Sequence, residues 1–137
     1  MDANLVWNTQ GRLSVVVHGR HGPTALEWDR YLNHTRENVP IKNLRVLVLT
    51  LGGSPDGKQR QAMAEVARQQ YPQPPPVAIL TGSLIVRSVM KLSAIFNPHI
   101  RCFAPEEFAL ACAYLGLNAL ERDQAARQLA ALQSEVV

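Results

Sequence analysis

The 137-residue chain is poor in cysteine and aromatic residues and contains no long hydrophobic run. Its two cysteines, Cys102 and Cys112, are too few and too far apart for a disulfide framework or a CxxC zinc site. The longest uninterrupted apolar stretches, 46–49 and 77–80, are strand-sized, whereas a membrane span needs roughly 20 residues. Residues 1–4 lack the charged and then apolar layout of a signal peptide. We therefore expect a cytoplasmic protein without a membrane span.

The amino-acid composition favours one packed domain. Hydrophobic residues make up 47% of the chain and charged residues 18%, which excludes extensive disorder. Residues 1–103 hold twelve Lys/Arg against six Asp/Glu, whereas residues 104–137 hold two against five. The basic residues are scattered singly and lack the interleaved aromatic residues of a nucleic-acid groove. We expect no nucleic-acid partner.

Strand and helix patterns alternate along the chain. The β-type runs at 4–9 and 12–18 flank a Gln10-Gly11 turn and predict a hairpin. Apolar runs predict further strands at 44–51, 77–80 and 100–103, the first of them central. Apolar spacing, proline positions and capping residues predict helices at 25–37, 58–70, 83–96, 105–116 and 118–134.

This order predicts an α/β fold. Its core is a mixed, mostly parallel sheet of about five strands with helices on both faces and a further C-terminal helix. We divide the chain into a domain at 1–117 and a C-terminal helical extension at 118–137. The extension has a thin leucine stripe that includes Leu120, so we expect it to be the least stable element.

Several residues have the spacing of helix caps. Thr24 with Glu27, and Asn118 with Glu121, have capping-box spacing, and Ser83 precedes an apolar helix start. For the helices themselves, we expect Leu26 on the inward stripe of the first and residues 92–95 inward in the third.

Residues 52–58 satisfy the phosphate-loop pattern GxxxxGK and lie between a strand and a helix. Gln59 stands where a magnesium-binding Ser or Thr is required, and Pro55 removes an amide from the cradle. We favour a tight turn in which Ser54 caps the helix and Pro55 takes its first position. Anion binding without hydrolysis and nucleotide hydrolysis are the alternatives.

His18 and His21 are three residues apart, a spacing that can hold a metal or transfer a proton. No third ligand is near in sequence, so we interpret them as a satisfied or solvated pair. The sequence also lacks a GxSxG motif, a Cys–His pairing and paired loop carboxylates. We therefore assign no catalytic residue, metal or cofactor, and expect no enzyme.

Polar residues follow the predicted parallel strands at the edge where their carboxyl ends converge. They form a candidate ligand or partner patch of Arg20, Ser54, Lys58, Ser83 and Arg87. Beside it, apolar residues surround the start of the third helix, so at least one must face away from the sheet. Leu84 and Ile85 are the candidate interface.

Three segments carry a family resemblance: GGSPDGKQRQAM (52–63), ILTGSLIVRSVMKLSAIFNP (79–98) and FAPEEFALACAYLGL (103–117). With the order of elements over residues 4–117, they resemble the STAS-like (SpoIIAA-like) fold of anti-sigma-factor antagonists, and most of all its uncharacterised bacterial members. In the regulators a phosphorylatable Ser or Thr begins the helix after the third strand. Ser54 holds that position here, in a different local motif.

The resemblance implies a non-enzymatic regulatory or scaffold protein that acts by binding another protein or a second copy of itself. The alternative is a small-molecule module that binds an anionic or lipid-like ligand at the carboxyl edge of the sheet.

Overall fold

The computed structural model describes residues 3–37, 40–93 and 97–136. Its strands are β1 (Leu5–Gln10), β2 (Leu13–His18), β3 (Arg45–Thr50), β4 (Val77–Leu80) and β5 (Ile100–Phe103). Its helices are α1 (Ala25–Glu37), α2 (Gly57–Gln70), α3 (Leu84–Ser93), α4 (Phe108–Tyr114) and α5 (Ala119–Gln133), with a 3-10 turn at Pro105–Glu107. The predicted α/β fold class is confirmed.

The five strands form one mixed sheet in the order β1-β2-β3-β4-β5. β1 and β2 form an antiparallel hairpin around Gly11, whose φ of 58° suits a glycine. The remaining neighbours are parallel, with β3 at the centre as predicted. Because each crossover leads to the next strand along, right-handed connections place α1, α2 and α3 on the same face of the sheet.

We call the face that carries Val15, Leu47 and Leu80 the back face. Its strand residues pack tightly against α4 and α5, and Leu47 is fully buried. From α5, Leu129 and Leu132 join this core, so residues 119–133 cover the same sheet as the rest of the chain.

The opposite face, with Val16, Val48 and Ile79, is the front face. Its buried residues form two clusters rather than one. The first joins β1 and β2 to α1 and α2, and the second joins β4 to α3. Between them, on the central strand, Val46 and Val48 are only half-buried. Val48 packs against both clusters and Val46 against the first, so the middle of the front face is covered less completely than its two sides.

Three predicted caps are confirmed. Glu27 and Thr24 exchange hydrogen bonds of 2.9 and 3.1 Å at the start of α1, and Glu121 and Asn118 form the same box at α5. Ser83 Oγ accepts from the amide of Val86 at 3.2 Å. Each cap satisfies an amide that has no partner within its helix.

The predicted cap of α2 is wrong. Asp56, not Ser54, is the N-cap, because its carboxylate accepts from the amide of Gln59 at 2.8 Å. The Gln59 side chain accepts in turn from the amide of Asp56 at 2.9 Å, which completes a capping box. Pro55 therefore precedes the cap instead of occupying the first turn.

The predicted inward positions of two leucines are also wrong. Leu26 is 59% exposed and Leu120 is 73% exposed, because Trp28 and Leu32 fill the inward positions of α1 and Leu129 and Leu132 those of α5. The expected inward positions 92–95 lie outside the described side chains.

Candidate functional site

A cavity of about 350 Å³ lies between α2 and the front face of the sheet. Val46, Val48 and Ile79 contribute to its floor, and α2 lies across it. The α2 residues that line it include Ala64 and Ala67, whose methyl groups are too short to fill the space. The alanine-rich sequence of α2 thus leaves open the region between the two front-face clusters.

α2 is fastened along α1. At its first turn the carbonyl of Gln59 accepts a hydrogen bond from the indole nitrogen of Trp28 at 2.9 Å. At its last turn the side-chain Nε2 of Gln70 donates to the carbonyl of Arg36 at 2.9 Å. These bonds hold both ends of the helix over the sheet while its middle stays above the cavity.

Polar side chains line the cavity where the parallel strands end. His18 and Thr50 are the last residues of β2 and β3, and they are paired in the sheet register. The Thr50 hydroxyl donates to the carbonyl of Gly53 and accepts from the amide of Gly52, so its hydrogen bonds are satisfied. His18 is 6% exposed, and within the described part of the chain its Nδ1 has no hydrogen-bond partner.

Burial controls the charge of His18. Desolvation lowers the pKa of His18 to about 4, against the opposing effect of the Glu27 carboxylate. His18 is therefore uncharged at neutral pH. Although burial opposes it, hydrogen bonds from Thr24 and Asn4 lower the pKa of Glu27, so this carboxylate is ionised.

Two stacked loops close this end of the cavity. The amide of Gly53 donates to the carbonyl of Gly19 at 2.9 Å. A Cβ atom on Gly53 would lie 2.2 Å from the carbonyl oxygen of His21, so no other residue fits without movement of the backbone. This close approach of the loops after β2 and β3 explains why water is excluded from His18.

The predicted patch is spread over the loops that follow β2, β3 and β4 and over the first turns of α2 and α3. All five of its residues follow β2, β3 or β4, at the predicted edge. Ser54 lines the cavity, Ser83 caps α3, and Arg87 donates to the carbonyl of Thr81 at 3.4 Å. Arg20 and Lys58 are exposed, and no hydrogen bond or ion pair among the described residues joins any two members of the patch.

The candidate interface faces outward. Leu84 and Ile85 are 79% and 78% exposed, whereas Val86 below them is buried against β4. Two neighbouring aliphatic side chains are thus presented to solvent at the start of α3.

The phosphate-loop match has the local geometry of a helix cap. The Asp56 carboxylate accepts from the Gln59 amide, so a negative charge already lies at the start of α2. Lys58 is exposed and points to no described acidic partner. The residues of 52–58 thus form a turn and a cap, as the favoured interpretation expected, with a different capping residue.

Sequence reasoning missed His18 as a site residue. The sequence predicts a satisfied or solvated side chain, whereas the structure buries it and gives its Nδ1 no hydrogen-bond partner among the described residues. The available signal was its position: strand alternation places Ser14, Val16 and His18 on one face, opposite an alanine-rich helix.

No protein-family model matches the chain, and comparisons with curated proteins and with solved structures gave no significant match. The STAS-like family therefore stays a prediction. Among the described residues no helix has the length and apolar character needed to cross a bilayer. In the same part of the chain, no group of three or more His, Cys, Asp or Glu residues is placed to hold a metal ion.

Proposed function

We propose that this protein is a non-enzymatic binding protein that holds an apolar small molecule in the cavity beneath α2, with the cytoplasmic location expected from its sequence. The observation that carries the proposal is the half-burial of Val46 and Val48 at the centre of the sheet, beside the fully buried Leu47. A central strand of this size normally packs on both faces. Here Val46 and Val48 pack against the front-face clusters on one side and border the cavity on the other.

The size and lining of the space support this function. Ligand cavities typically measure about 300–1,000 Å³ and are mostly apolar with a few polar groups, and this cavity of about 350 Å³ has that character. A bound apolar molecule would displace water from the apolar side chains that line this space and would gain van der Waals contacts with them.

A fluorescence titration tests the proposal. N-phenyl-1-naphthylamine is an uncharged apolar dye that brightens in apolar surroundings, and it is added to protein refolded from denaturant so that no host molecule occupies the cavity. We expect saturable binding to one site. Absence of saturable binding to the wild-type protein would contradict the proposal.

Two matched variants locate the binding site. Ala64→Phe adds a ring to the half-buried lining of the cavity, whereas Ala126→Phe adds the same ring to the exposed face of α5. We expect Ala64→Phe to weaken dye binding at least tenfold and Ala126→Phe to leave it unchanged. Equal binding by both folded variants would place the dye elsewhere and refute the cavity as its site.

A second candidate function is the regulatory or scaffold role implied by the resemblance. The observation that favours it is the exposure of Leu84 and Ile85, at 79% and 78%. Exposed neighbouring aliphatic residues are typical of a surface that binds another protein or a second copy of the chain.

Light scattering at several concentrations tests the second candidate with Ile85→Asp and the wild type. The exposed position tolerates the charge, so the variant folds. A concentration-dependent mass that Ile85→Asp abolishes supports self-association. A pull-down compares the proteins bound by the wild type and by Ile85→Asp. If the wild type is monomeric and both forms bind the same proteins, this surface has no function.

A further inference from the structure

The cavity under α2 carries positive charge without a matching acid. Its charged lining residues are Arg60 and Arg68, and no Asp or Glu in the described ranges lines it. Arg68 forms an ion pair with Glu65, so its charge is already compensated. Arg60 forms no ion pair with any described residue. Within this part of the chain, Arg60 is therefore the lining cation that lacks an anionic partner.

Arg60 lies at the end of the cavity where β3 ends. It is half-buried near the start of α2, and its Nη1 donates to the carbonyl of Pro55 at 2.8 Å. A guanidinium has five N–H donors, and this is the one hydrogen bond that the Arg60 side chain makes to the described residues. Ser54, the residue before Pro55, also lines the cavity. Arg60 thus has donors left for a ligand at this end, and Ser54 offers a hydroxyl group.

The carboxylates near this end have other hydrogen-bond partners. Asp56 is exposed and accepts from the amide of Gln59, and Glu27 accepts from two backbone amides. Neither carboxylate lines the cavity or forms an ion pair with Arg60. Their charges weaken the attraction of Arg60 for an anion but leave its remaining donors unused. A ligand anion at the guanidinium would form charge-assisted hydrogen bonds with those donors.

The rest of the cavity suits a hydrocarbon chain. From Arg60 the lining continues along α2 through Ala64 to Ala67, about 10 Å further along the helix axis. Val48 and Val46 of β3 lie on the opposite side of the space. An alkyl chain along this lining places its head group at half-buried Arg60, where water still reaches it. The cost of desolvating a charged head group is therefore smaller than it would be deep in the core.

We propose that the ligand is a single-chain amphiphile whose anionic head group binds Arg60 and Ser54 and whose alkyl chain lies between α2 and Val48. This proposal rests on the proposed function and specifies the class and orientation of its ligand. The head group lies at the edge of the sheet where the sequence predicted an anionic or lipid-like ligand. Of the predicted patch, Ser54 takes part, and Arg60 supplies the charge.

Competition between probes with the same alkyl chain tests the head group. 1-Decanol, sodium decanoate and monodecyl phosphate are each titrated against N-phenyl-1-naphthylamine bound to the wild-type protein at pH 7.5. We expect at least one anion to bind about tenfold more tightly than decanol, because charge-assisted hydrogen bonds are stronger than neutral ones. The tighter anion identifies the head group as a carboxylate or a phosphate. If neither anion binds more tightly than decanol, the proposal is overturned.

Substitutions on α2 test the contact with Arg60. Arg60→Met keeps an apolar stem without the charge, and we expect the ratio of anion affinity to decanol affinity to fall by about fivefold or more. Both probes occupy the same cavity, so a general change in its shape largely cancels in this ratio. Arg60→Lys keeps the charge and should retain most of the ratio. Lys58→Met removes the same charge from an exposed position on α2 and should change the ratio by less than about twofold.

Arg68→Met distinguishes the two ends of the cavity. Arg68 lies about 12 Å from Arg60 along the axis of α2, so one head group does not contact both. We expect Arg68→Met to lower the affinity ratio less than Arg60→Met does. Dye binding by each variant shows that its cavity is intact. An unchanged ratio in Arg60→Met, or an equal or larger effect of Arg68→Met, would overturn the placement of the head group at Arg60.

The results separate the two proposals. If the wild type binds no dye, the cavity does not bind small molecules and both proposals fail. If the dye binds in the cavity but neither anion is preferred over decanol, or the preference does not depend on Arg60, the proposed function stands and only the ligand class and orientation are wrong.

Discussion

The indole nitrogen of Trp28 donates a hydrogen bond to the backbone carbonyl of Gln59, 2.9 Å away, and so joins α1 to the first turn of α2. The contact attaches α2, which covers the cavity, to a side chain that is buried in the front-face core. The position of α2 thus depends on α1 more than on the sheet beneath it.

Loss of that bond should loosen α2. We expect Trp28→Phe to lower the free energy of unfolding by about 1 kcal/mol, since it removes one hydrogen bond and some packing. Urea unfolding and amide exchange at residues 57–70 measure the effect. Trp7→Phe is the matched control, because no hydrogen bond is shown for its indole among the described residues. Equal amide-exchange rates in α2 for the two variants would show that the Trp28 hydrogen bond does not hold α2 in place.

The cap of α2 provides a second prediction. We expect Asp56→Ala to lower the free energy of unfolding by about 1 kcal/mol, because the amide of Gln59 loses its acceptor. Ser54→Ala should cost clearly less, since Ser54 caps no helix. Thermal and urea unfolding of the two alanine variants decide. A larger loss for Ser54→Ala would restore Ser54 as the structurally important residue.

Stability should depend on pH through His18. Its pKa is about 4 in the folded state, below its usual 6.5, so the unfolded chain binds more protons between these values. Stability is therefore complete above about pH 6.5 and falls by about 1.4 kcal/mol per unit as the pH drops toward 4. Urea unfolding across this range measures the slope.

His18→Leu should remove this slope. At pH 7 it should also raise the free energy of unfolding by about 1 kcal/mol, because an unpartnered buried nitrogen is gone. His21→Leu, at an exposed histidine, is the control and should keep the wild-type slope. An unchanged slope in His18→Leu would show that another group carries the acid sensitivity.

A bidentate ion pair joins the hairpin turn to α5. Arg12 Nε and Nη2 lie 2.7 and 2.8 Å from the carboxylate of Glu121, and the hydrogen bond from Arg12 lowers the pKa of Glu121 to about 2. We expect Arg12→Met to destabilise the protein by about 1 kcal/mol near neutral pH. Since the folded-state pKa is lowered, this contribution is present above about pH 4.5 and is lost as the pH falls toward 2.

The same substitution at an exposed pair is the control. Arg68 and Glu65 are adjacent on α2 and have side chains 62% and 59% exposed, so Arg68→Met should change stability by less than about 0.5 kcal/mol. Equal effects of Arg12→Met and Arg68→Met in urea unfolding would show that the Arg12 pair is no stronger than a surface pair.

The strands could be predicted because turn-forming residues mark their ends. The bounds of β4 and β5 agree with the prediction, since prolines precede β4 and Asn97-Pro98 and Pro105 enclose β5. A run of Val and Leu likewise identified β3 as central, and its neighbours in the sheet confirm this.

The cavity was not predictable from the same signals. Alternation shows that Val48 points to a covered face, but not whether the covering helix has side chains long enough to reach it. The cap of α2 was ambiguous for a related reason: Ser54 and Asp56 are both good capping residues, and only the position of the first helical turn distinguishes them. The cavity and the choice of the α2 cap both depend on where the backbone lies in three dimensions.

The neighbour-to-neighbour order of the sheet has a consequence for synthesis on the ribosome. Every strand pairs with the one made just before it, so the sheet can grow as the chain emerges. The back face of the sheet is covered later, because both α4 and α5 are translated after all five strands. The cover of β2 is the last to arrive, since it is α5. Val15 and Val17 therefore remain exposed on the nascent chain until α5 arrives, and this stretch of β2 is where a holding chaperone would find its target.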